Sequence, residues 1–232
     1  MTQKFDFADA LDLSEDTALS WRSLGELAAG YIEVQNTYRA AIREINTKLE
    51  ILDDEFRMRH QRNPIHYMQS RLKTPRSIME KLRRKGLPFT PESVRENLTD
   101  VAGIRVICHY IDDIYMVAKL LTAQDDITLV RETDYIKNPK PNGYRSLHLV
   151  VQVPVFFAER TERVPVEIQI RTVAMDFWAS LEHELRYKAA EDVPDYLVKE
   201  LTECAEIINR TDMKMQWIYK ALGEIKDVGK KN

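Results

Sequence analysis

The hydrophobic pattern predicts an α/β chain of the α+β kind: a central β-sheet of about five strands flanked by helices, with a long helix at each end. Three observations carry this. Two runs, Gly143–Val153 and Val166–Thr172, alternate apolar and polar residues with a period of two, as half-buried strands do, and three further strand-like runs precede them. Apolar residues recur at steps of three and four over about residues 20–62 and again over about 194–227, the period of an amphipathic helix. The 232 residues contain no Gly/Ser/Pro-rich linker, which points to a single domain over 1–232 with its core at about residues 63–190.

In chain order, an acidic start is expected to fray. Tyr31, Val34, Tyr38, Ile42, Ile45, Leu49, Leu52 and Phe56 then form one helical stripe. It should end near Asn63-Pro64, because the residue before proline is pushed out of the helical region. His66–Lys73 is a short strand with Tyr67, Gln69, Arg71 and Lys73 on one face. Thr74-Pro75 and Thr90-Pro91 each offer an N-cap followed by proline at the first helical position, giving a helix to about Lys85 and a shorter one after Thr90. Val101–Tyr110 is a strand, Asp112–Gln124 an amphipathic helix and Ile127–Ile136 another strand. After the two alternating runs, a helix over Val173–Lys188 is expected to bury Met175, Trp178, Leu181 and Leu185. Val193-Pro194 opens the last helix, where Leu197, Leu201, Cys204, Ile208, Thr211, Met215, Ile218, Leu222 and Ile225 step as a heptad seam broken only by Thr211. Val198, Ile207, Trp217 and Tyr219 lie off the seam, so one apolar contact is expected within the subunit and one beyond it.

Lys and Arg number 34 against 37 Asp and Glu, a net charge of −3. No global basic field draws such a chain to nucleic acid or an anionic membrane, so a phosphate ligand must be held by local cations. Cys108 and Cys204 match neither a disulfide framework nor a metal spacing and read as structural thiols of a reducing compartment. Asp6 and Asp9 stand where a signal peptide would be apolar, and the longest apolar run, Leu147–Ala158, is interrupted by His148, Gln152 and Pro154. A soluble, cytoplasmic protein is expected.

If the two alternating runs pair as a hairpin with their apolar faces on one core, Tyr144, Ser146, His148, Glu167, Gln169 and Arg171 converge on the other face. An ordinary solvated face would carry Lys, Glu and Thr; this mixture suits holding a base, orienting a hydroxyl and binding a metal or phosphate. Upstream, Arg71, Lys73, Ser77 and Lys81 could hold a polyphosphate at a helix N-terminus, and a solvated basic helix start explains them equally well. Asp100 and Arg105 have opposite parity and share a face only if Gly103 marks a bulge. Arg105 could then stack on a base and Asp100 bind a metal, the plain alternative being a cap and a strand. Asp100 with Glu167 suggests Mg²⁺, a hard cation usually held by one or two carboxylates plus substrate phosphates. Tyr144 offers a flat surface for a second base, although a tyrosine on a sheet face more often serves packing. His183-Glu184 begins like the zinc-protease H-E-x-x-H, but position 187 is Tyr. None of the five histidines is followed by Asp, which argues against an HD-type metal phosphohydrolase site.

In order along the chain, these motifs resemble the synthetase domain of RelA/SpoT-type (p)ppGpp synthetases. The matching segments are Arg71-x-Lys73-x-x-x-Ser77, Asp100-x-x-Gly103-x-Arg105, Lys140-Pro-Asn-Gly-Tyr144-x-Ser-x-His148, Glu167-Ile-Gln169-Ile-Arg171 and Trp178-Ala179-x-x-Glu182-His183-x-x-x-Tyr187-Lys188, within about residues 30–225. The length, the long terminal helices and the lack of hydrolase and regulatory domains look like the small alarmone synthetases, closest to the RelP type. The resemblance implies a mixed sheet related to nucleotidyltransferases. It also implies transfer of the β,γ-pyrophosphate of ATP to the 3′ oxygen of GTP or GDP, with GMP a further candidate acceptor, AMP released and no hydrolase activity. Arg71 and Arg105 would sandwich adenine, Lys73, Ser77 and Lys81 would hold the ATP phosphates, and Asp100 and Glu167 would bind Mg²⁺, Glu167 also helping to deprotonate the 3′-OH. Tyr144 would stack on guanine, Asn142 and the backbone near Ala179 would read its edge, and Lys140, His148 and Gln169 would position acceptor phosphates and ribose. A homotetramer through the terminal helices is implied as well, in line with the seam.

One departure matters. Thr133 precedes Asp134-Tyr135-Ile136 where the family usually has a Lys or Arg that contacts the acceptor's 5′ phosphates. Weak dependence on the acceptor's phosphate count is therefore expected, unless Arg131 or Lys137 substitutes. Two other readings stand beside this one: a nucleotide sensor or RNA-binding regulator that keeps the fold without turnover, against which the intact Asp100 and Glu167 argue, and a nucleotidyltransferase moving AMP, which would release pyrophosphate instead of AMP.

Overall fold

Alternation on the sheet decides where the core lies and, by default, where the polar face points. The computed structural model describes residues 21–60, 62–188 and 194–229; the acidic start and Val193 lie outside the described residues, as do the side chains of Tyr187, Lys188 and Ile225. Helix α1 (Trp21–His60) lays Tyr31, Val34, Tyr38, Ile42, Ile45 and Leu49 into the core. The five strands are β1 (Ile65–Leu72), β2 (Ala102–Cys108), β3 (Thr128–Asp134), β4 (Leu147–Phe156) and β5 (Thr161–Thr172), arranged β1-β2-β5-β4-β3. β2 and β5 run parallel and the other neighbours antiparallel, so the sheet is mixed.

Ile104, Val106, Leu147, Leu149, Val151, Val166, Ile168 and Ile170 are all buried beneath α1 and α4 (Ile111–Thr122) in one cluster. Each such side chain contributes about 1.5–3 kcal/mol on burial. Slipping β5 by one residue would expose its whole apolar set, so the core locks the register and thereby the side chains on the opposite face.

The predicted caps form. Ser77 N–H donates to Thr74 Oγ1 at 3.3 Å at the start of α2 (Pro75–Arg84), and Ser93 N–H to Thr90 Oγ1 at 3.2 Å at the start of α3 (Pro91–Asn97). Helix α5 (Val173–Lys188) follows β5 without a loop, and α6 (Asp195–Gly229) packs back along it. Among the described residues, no helix is long and apolar enough to cross a membrane.

Four expectations are corrected. Gly103 is not a bulge: it pairs in even register with Arg71 and with Glu167. Asp100 precedes the strand, so the parity conflict with Arg105 does not arise. β4 begins at Leu147 rather than Gly143, and Ser146, fully buried, donates its hydroxyl to the Ile170 carbonyl instead of joining the polar face. Helix α5 buries Met175, Trp178 and Ala179, but Leu181 and Leu185 are exposed. In α6 the seam turns mostly outward, with Leu197, Met215 and Leu222 exposed, while Ala205, Asp212 and Gln216 face inward. Polar contacts hold this inner face: Asp212 accepts from the Thr172 hydroxyl at 2.6 Å and Gln216 from the Asp112 N–H at 3.0 Å. Cys108 is a buried thiol as expected, whereas Cys204 is exposed.

Candidate active site

Register arranges the polar face as two cross-strand rows. Gln69, Arg105, Gln169, His148 and Thr133 stand opposite one another across the five strands, and Arg71, Gly103, Glu167, Val150 and Arg131 form the next row. Directly opposed residues share a face. With no side chain, Gly103 leaves the floor open between Arg71 and Glu167; a Cβ there would meet only the Arg71 carbonyl oxygen, at 3.6 Å. Above it lies a cavity of about 360 Å³ walled by Arg71, Asp100, Arg105, Glu167 and Gln169.

At one edge of this cavity Asp100 Oδ2 accepts from Lys73 Nζ at 2.8 Å and Lys81 Nζ at 2.7 Å. Lys73 is held by its own N–H donating to the Val101 carbonyl at 2.8 Å, and Lys81 lies on α2. Burial pushes the Asp100 carboxyl up, but the hydrogen bonds and charges of the two lysines outweigh burial and hold it below the usual carboxylate range. Asp100 Oδ1 is buried and has no hydrogen-bond partner among the described residues. Ser77 does not line the cavity itself: its N–H donates to Thr74 Oγ1, and its hydroxyl oxygen accepts from the Thr74 hydroxyl at 3.0 Å, which leaves its own O–H to donate. Arg71 is exposed and makes no ion pair among the described residues, so its guanidinium is free to close over a ligand.

A second cavity, of about 420 Å³, opens on the β3 side, walled by Arg131, Tyr135, Lys140, His148 and again Glu167. Tyr144, from the loop before β4, joins it to Arg171: the Tyr144 hydroxyl lies 2.8 Å from His148 Nε2 and accepts from Arg171 Nη2 at 2.5 Å. Lys140 Nζ sits 4.7 Å from the Tyr144 ring centroid and 4.8 Å from that of Tyr135. The Arg171 guanidinium lies 5.0 Å from the same Tyr144 ring, so Tyr144 is held against two cations. Burial, followed by the positive charges of Arg171, Lys140 and Arg131, pushes His148 down to about 4. At neutral pH His148 is therefore an uncharged hydrogen-bonding group. Asn142 is engaged on both sides of its amide, donating to Glu182 Oε1 at 3.0 Å and accepting from Tyr144 N–H at 3.3 Å. Ala179 lies on the adjoining face of α5, in a small cluster with Trp178, Ala205 and Tyr144.

Residues 70–192 match the family model of the region found in RelA / SpoT proteins. This chain belongs to the RelA/SpoT family. It is 48% identical over 183 residues to GTP pyrophosphokinase YwaC of Bacillus subtilis (strain 168), across 79% of this chain and 87% of that one. Its fold is similar to the crystal structure of small alarmone synthetase 2 from Bacillus subtilis, with a TM-score of 0.72 at 47% identity, covering 79% of this chain and 96% of that one. Small alarmone synthetase 1 from Bacillus subtilis, bound to its product pppGpp, is similar with a TM-score of 0.72 at 38% identity, covering 79% and 93%.

Every proposed site residue, from Arg71 to Ala179, falls inside the matched RelA/SpoT region. The structure brings Arg71, Asp100, Arg105, Glu167 and Gln169 to one cavity and Lys140, His148 and Glu167 to the other. Sequence reasoning missed Asp176. In the first turn of α5, its carboxylate lies 3.5 Å from Arg105 Nη1 and accepts from Arg171 Nη1 at 3.2 Å and from the Tyr67 hydroxyl at 2.6 Å. It thus fixes the guanidinium groups of Arg105 and Arg171 at once. The available signal was an acidic residue in the first turn of a helix that starts where a site strand ends.

Proposed function

We propose that this chain is a GTP pyrophosphokinase that moves the β,γ-pyrophosphate of ATP to the 3′-OH of GTP or GDP, releasing AMP and forming pppGpp or ppGpp. The observation that carries the reading is Glu167, which walls both cavities and so stands where two nucleotides meet. ATP occupies the first cavity, its adenine between the planes of Arg71 and Arg105. Lys73 and Lys81 exchange Asp100 for ATP phosphate oxygens. The acceptor occupies the second cavity, guanine on Tyr144, with Lys140, His148 and Gln169 along its ribose and phosphates. Glu167 takes the 3′-OH proton as the 3′ oxygen attacks the β-phosphorus of ATP. The bond from that phosphorus to the α,β-bridging oxygen breaks, and AMP leaves with the bridging oxygen. Such chemistry asks the protein mainly for in-line positioning and charge neutralisation.

Asp100 and Glu167 would hold Mg²⁺. The donor set fits: the buried Asp100 Oδ1 lacks a partner and Glu167 faces the same cavity. Among the described residues no three His, Cys, Asp or Glu side chains converge, so the ion would complete its shell with phosphate oxygens and water. When bound, it supplies neutralisation of phosphate charge.

Arg131 answers the departure at Thr133. It lies on the wall of the acceptor cavity and makes no ion pair among the described residues. Lys137 instead pairs with Asp134 at 3.2 Å and lies over the Tyr115 ring. Arg131 therefore takes the acceptor's 5′ phosphates, and dependence on phosphate count is retained. The outward-facing apolar residues of α6 support a homotetramer, and nucleotide substrates support a cytoplasmic enzyme.

Incubation with ATP, Mg²⁺ and, separately, GTP, GDP and GMP, with products resolved by anion exchange and mass spectrometry, tests the reading. AMP and 3′-pyrophosphorylated guanosine in equal amounts, absent with Glu167→Ala, are expected. Release of pyrophosphate, or binding without turnover, would refute it.

A further inference from the structure

Helix α6 stands outside both cavities, yet the acceptor loop rests on it. Gly143, immediately before Tyr144, has a φ of 87°. A Cβ built there would lie 2.5 Å from the Ala205 Cβ and 3.7 Å from the Thr202 carbonyl oxygen. The contact needs glycine on the loop, for its backbone conformation and its lack of a side chain, and a small residue on the helix. Arg145, on the other side of Tyr144, is 9% exposed. It donates to the Gly143 carbonyl at 3.2 Å and to Glu206 Oε1 at 2.8 Å. The loop is also closed on itself, Gly143 N–H donating to the Lys140 carbonyl at 2.8 Å and Lys140 N–H to the Tyr144 carbonyl at 3.1 Å. Whatever fixes Gly143 and Arg145 therefore fixes Tyr144 and Lys140 together.

We infer that Ala205 and Glu206 of α6 are positioning residues for the acceptor nucleotide. Ala205 sets how closely the loop backbone approaches the helix, and Glu206 neutralises the buried Arg145 that ties the loop's far side to the same helix turn. A segment between strands with no regular structure of its own would otherwise lose conformational freedom when the acceptor binds, a cost that pre-organisation removes. The effect is selective: the ATP cavity is walled by residues of β1, β2, β5 and the Asp100 turn, none of them on the acceptor loop. The inference rests on the reading of Tyr144 as the guanine platform.

Equilibrium binding of fluorescent N-methylanthraniloyl GDP and of the equivalent non-hydrolysable ATP analogue, with steady-state kinetics, tests it in the full chain. Glu206 is 51% exposed, so Glu206→Gln should leave the fold intact, which thermal unfolding checks. Ala205→Val pushes the loop away. Each variant should raise the acceptor Kd and KM about 5- to 20-fold, the scale of a typical coupling between contacting elements. Affinity for the ATP analogue, and kcat at saturating acceptor, should stay within about twofold. Should Ala205→Val undock α6, Glu206→Gln alone carries the test. If Tyr144→Ala weakens the acceptor while Glu206→Gln does not, or if Glu206→Gln weakens both nucleotides equally, the positioning role is overturned and the platform stands. If Tyr144→Ala leaves acceptor affinity unchanged, the platform and the positioning role fall together.

Discussion

Replacing Asp100 with Asn should destabilise this protein as well as silence it, although removing an active-site carboxylate often stabilises a fold. The Asp100 side chain is 19% exposed and accepts from Lys73 at 2.8 Å and Lys81 at 2.7 Å, lysines whose own side chains are 13% and 27% exposed. A hydrogen bond to a charged group contributes about 1.5–3 kcal/mol, and the residual exposure moves both bonds to the lower end. Against them stands the unpartnered Oδ1, whose desolvation costs about 1–3 kcal/mol and is only partly relieved in the amide. An asparagine accepts weakly from one lysine and leaves two half-buried cations uncompensated. The net loss is about 2 kcal/mol, a fall in Tm of about 4–8 °C for a chain of this size. The pH dependence gives a second reading. The two lysines lower the Asp100 pKa, so its contribution is present above the unfolded carboxylate value and lost as pH falls through the folded value. The gap between wild type and Asp100→Asn should therefore be constant from neutral pH down to about 5 and close below about 4. Calorimetry without nucleotide or divalent metal measures both. An Asp100→Asn variant that melts at or above the wild type at pH 7, or a gap that ignores acid, would refute the reasoning.

Arg131→Ala should lower kcat/KM for GTP and GDP by about 10-fold or more and flatten the preference over GMP, since a charge-assisted phosphate contact is lost; equal losses for every acceptor would show that Arg131 does not read the phosphates. His148 is held at about 4 from an ordinary 6.5, so acceptor kcat/KM should show no inflection near pH 6.5, and one that disappears in His148→Gln would contradict its neutrality. With its folded value lowered, His148 also contributes a stability loss as pH falls from 6.5 toward 4, which His148→Gln should remove in acid unfolding curves. Leu222 is 55% exposed on the outward face of α6, so Leu222→Asp should yield smaller species by light scattering that keep the wild-type helix content by circular dichroism; an unchanged mass would place the seam contact elsewhere.

Much of the site was legible because its signals are local. The Thr74 and Thr90 caps act across three residues, and period-two alternation is enough to place Glu167, Gln169 and Arg171 on one face of a strand whose other face is buried. Asp100 was legible as a candidate ligand by its type, and its failed bulge argument shows the limit. Whether a residue lies inside a strand or one step before it changes which cavity it meets, and strand ends depend on the neighbouring strand.

By itself, then, the sequence determined most of the elements, the apolar faces of β4 and β5 and the chemical kinds gathered on the opposite face, because hydrophobic periodicity and capping are properties of consecutive residues. It did not determine which strands lie side by side. The parallel pairing of β2 with β5 sets Arg105 beside Gln169 and makes Glu167 common to two cavities. The clamp of Asp176 on Arg105 and Arg171, and the seating of Gly143 on Ala205, likewise join residues far apart in the chain. These were decided by the tertiary structure, because periodicity names the face a side chain occupies but not the neighbour it meets there, and the neighbour is chosen by the packing of the whole core.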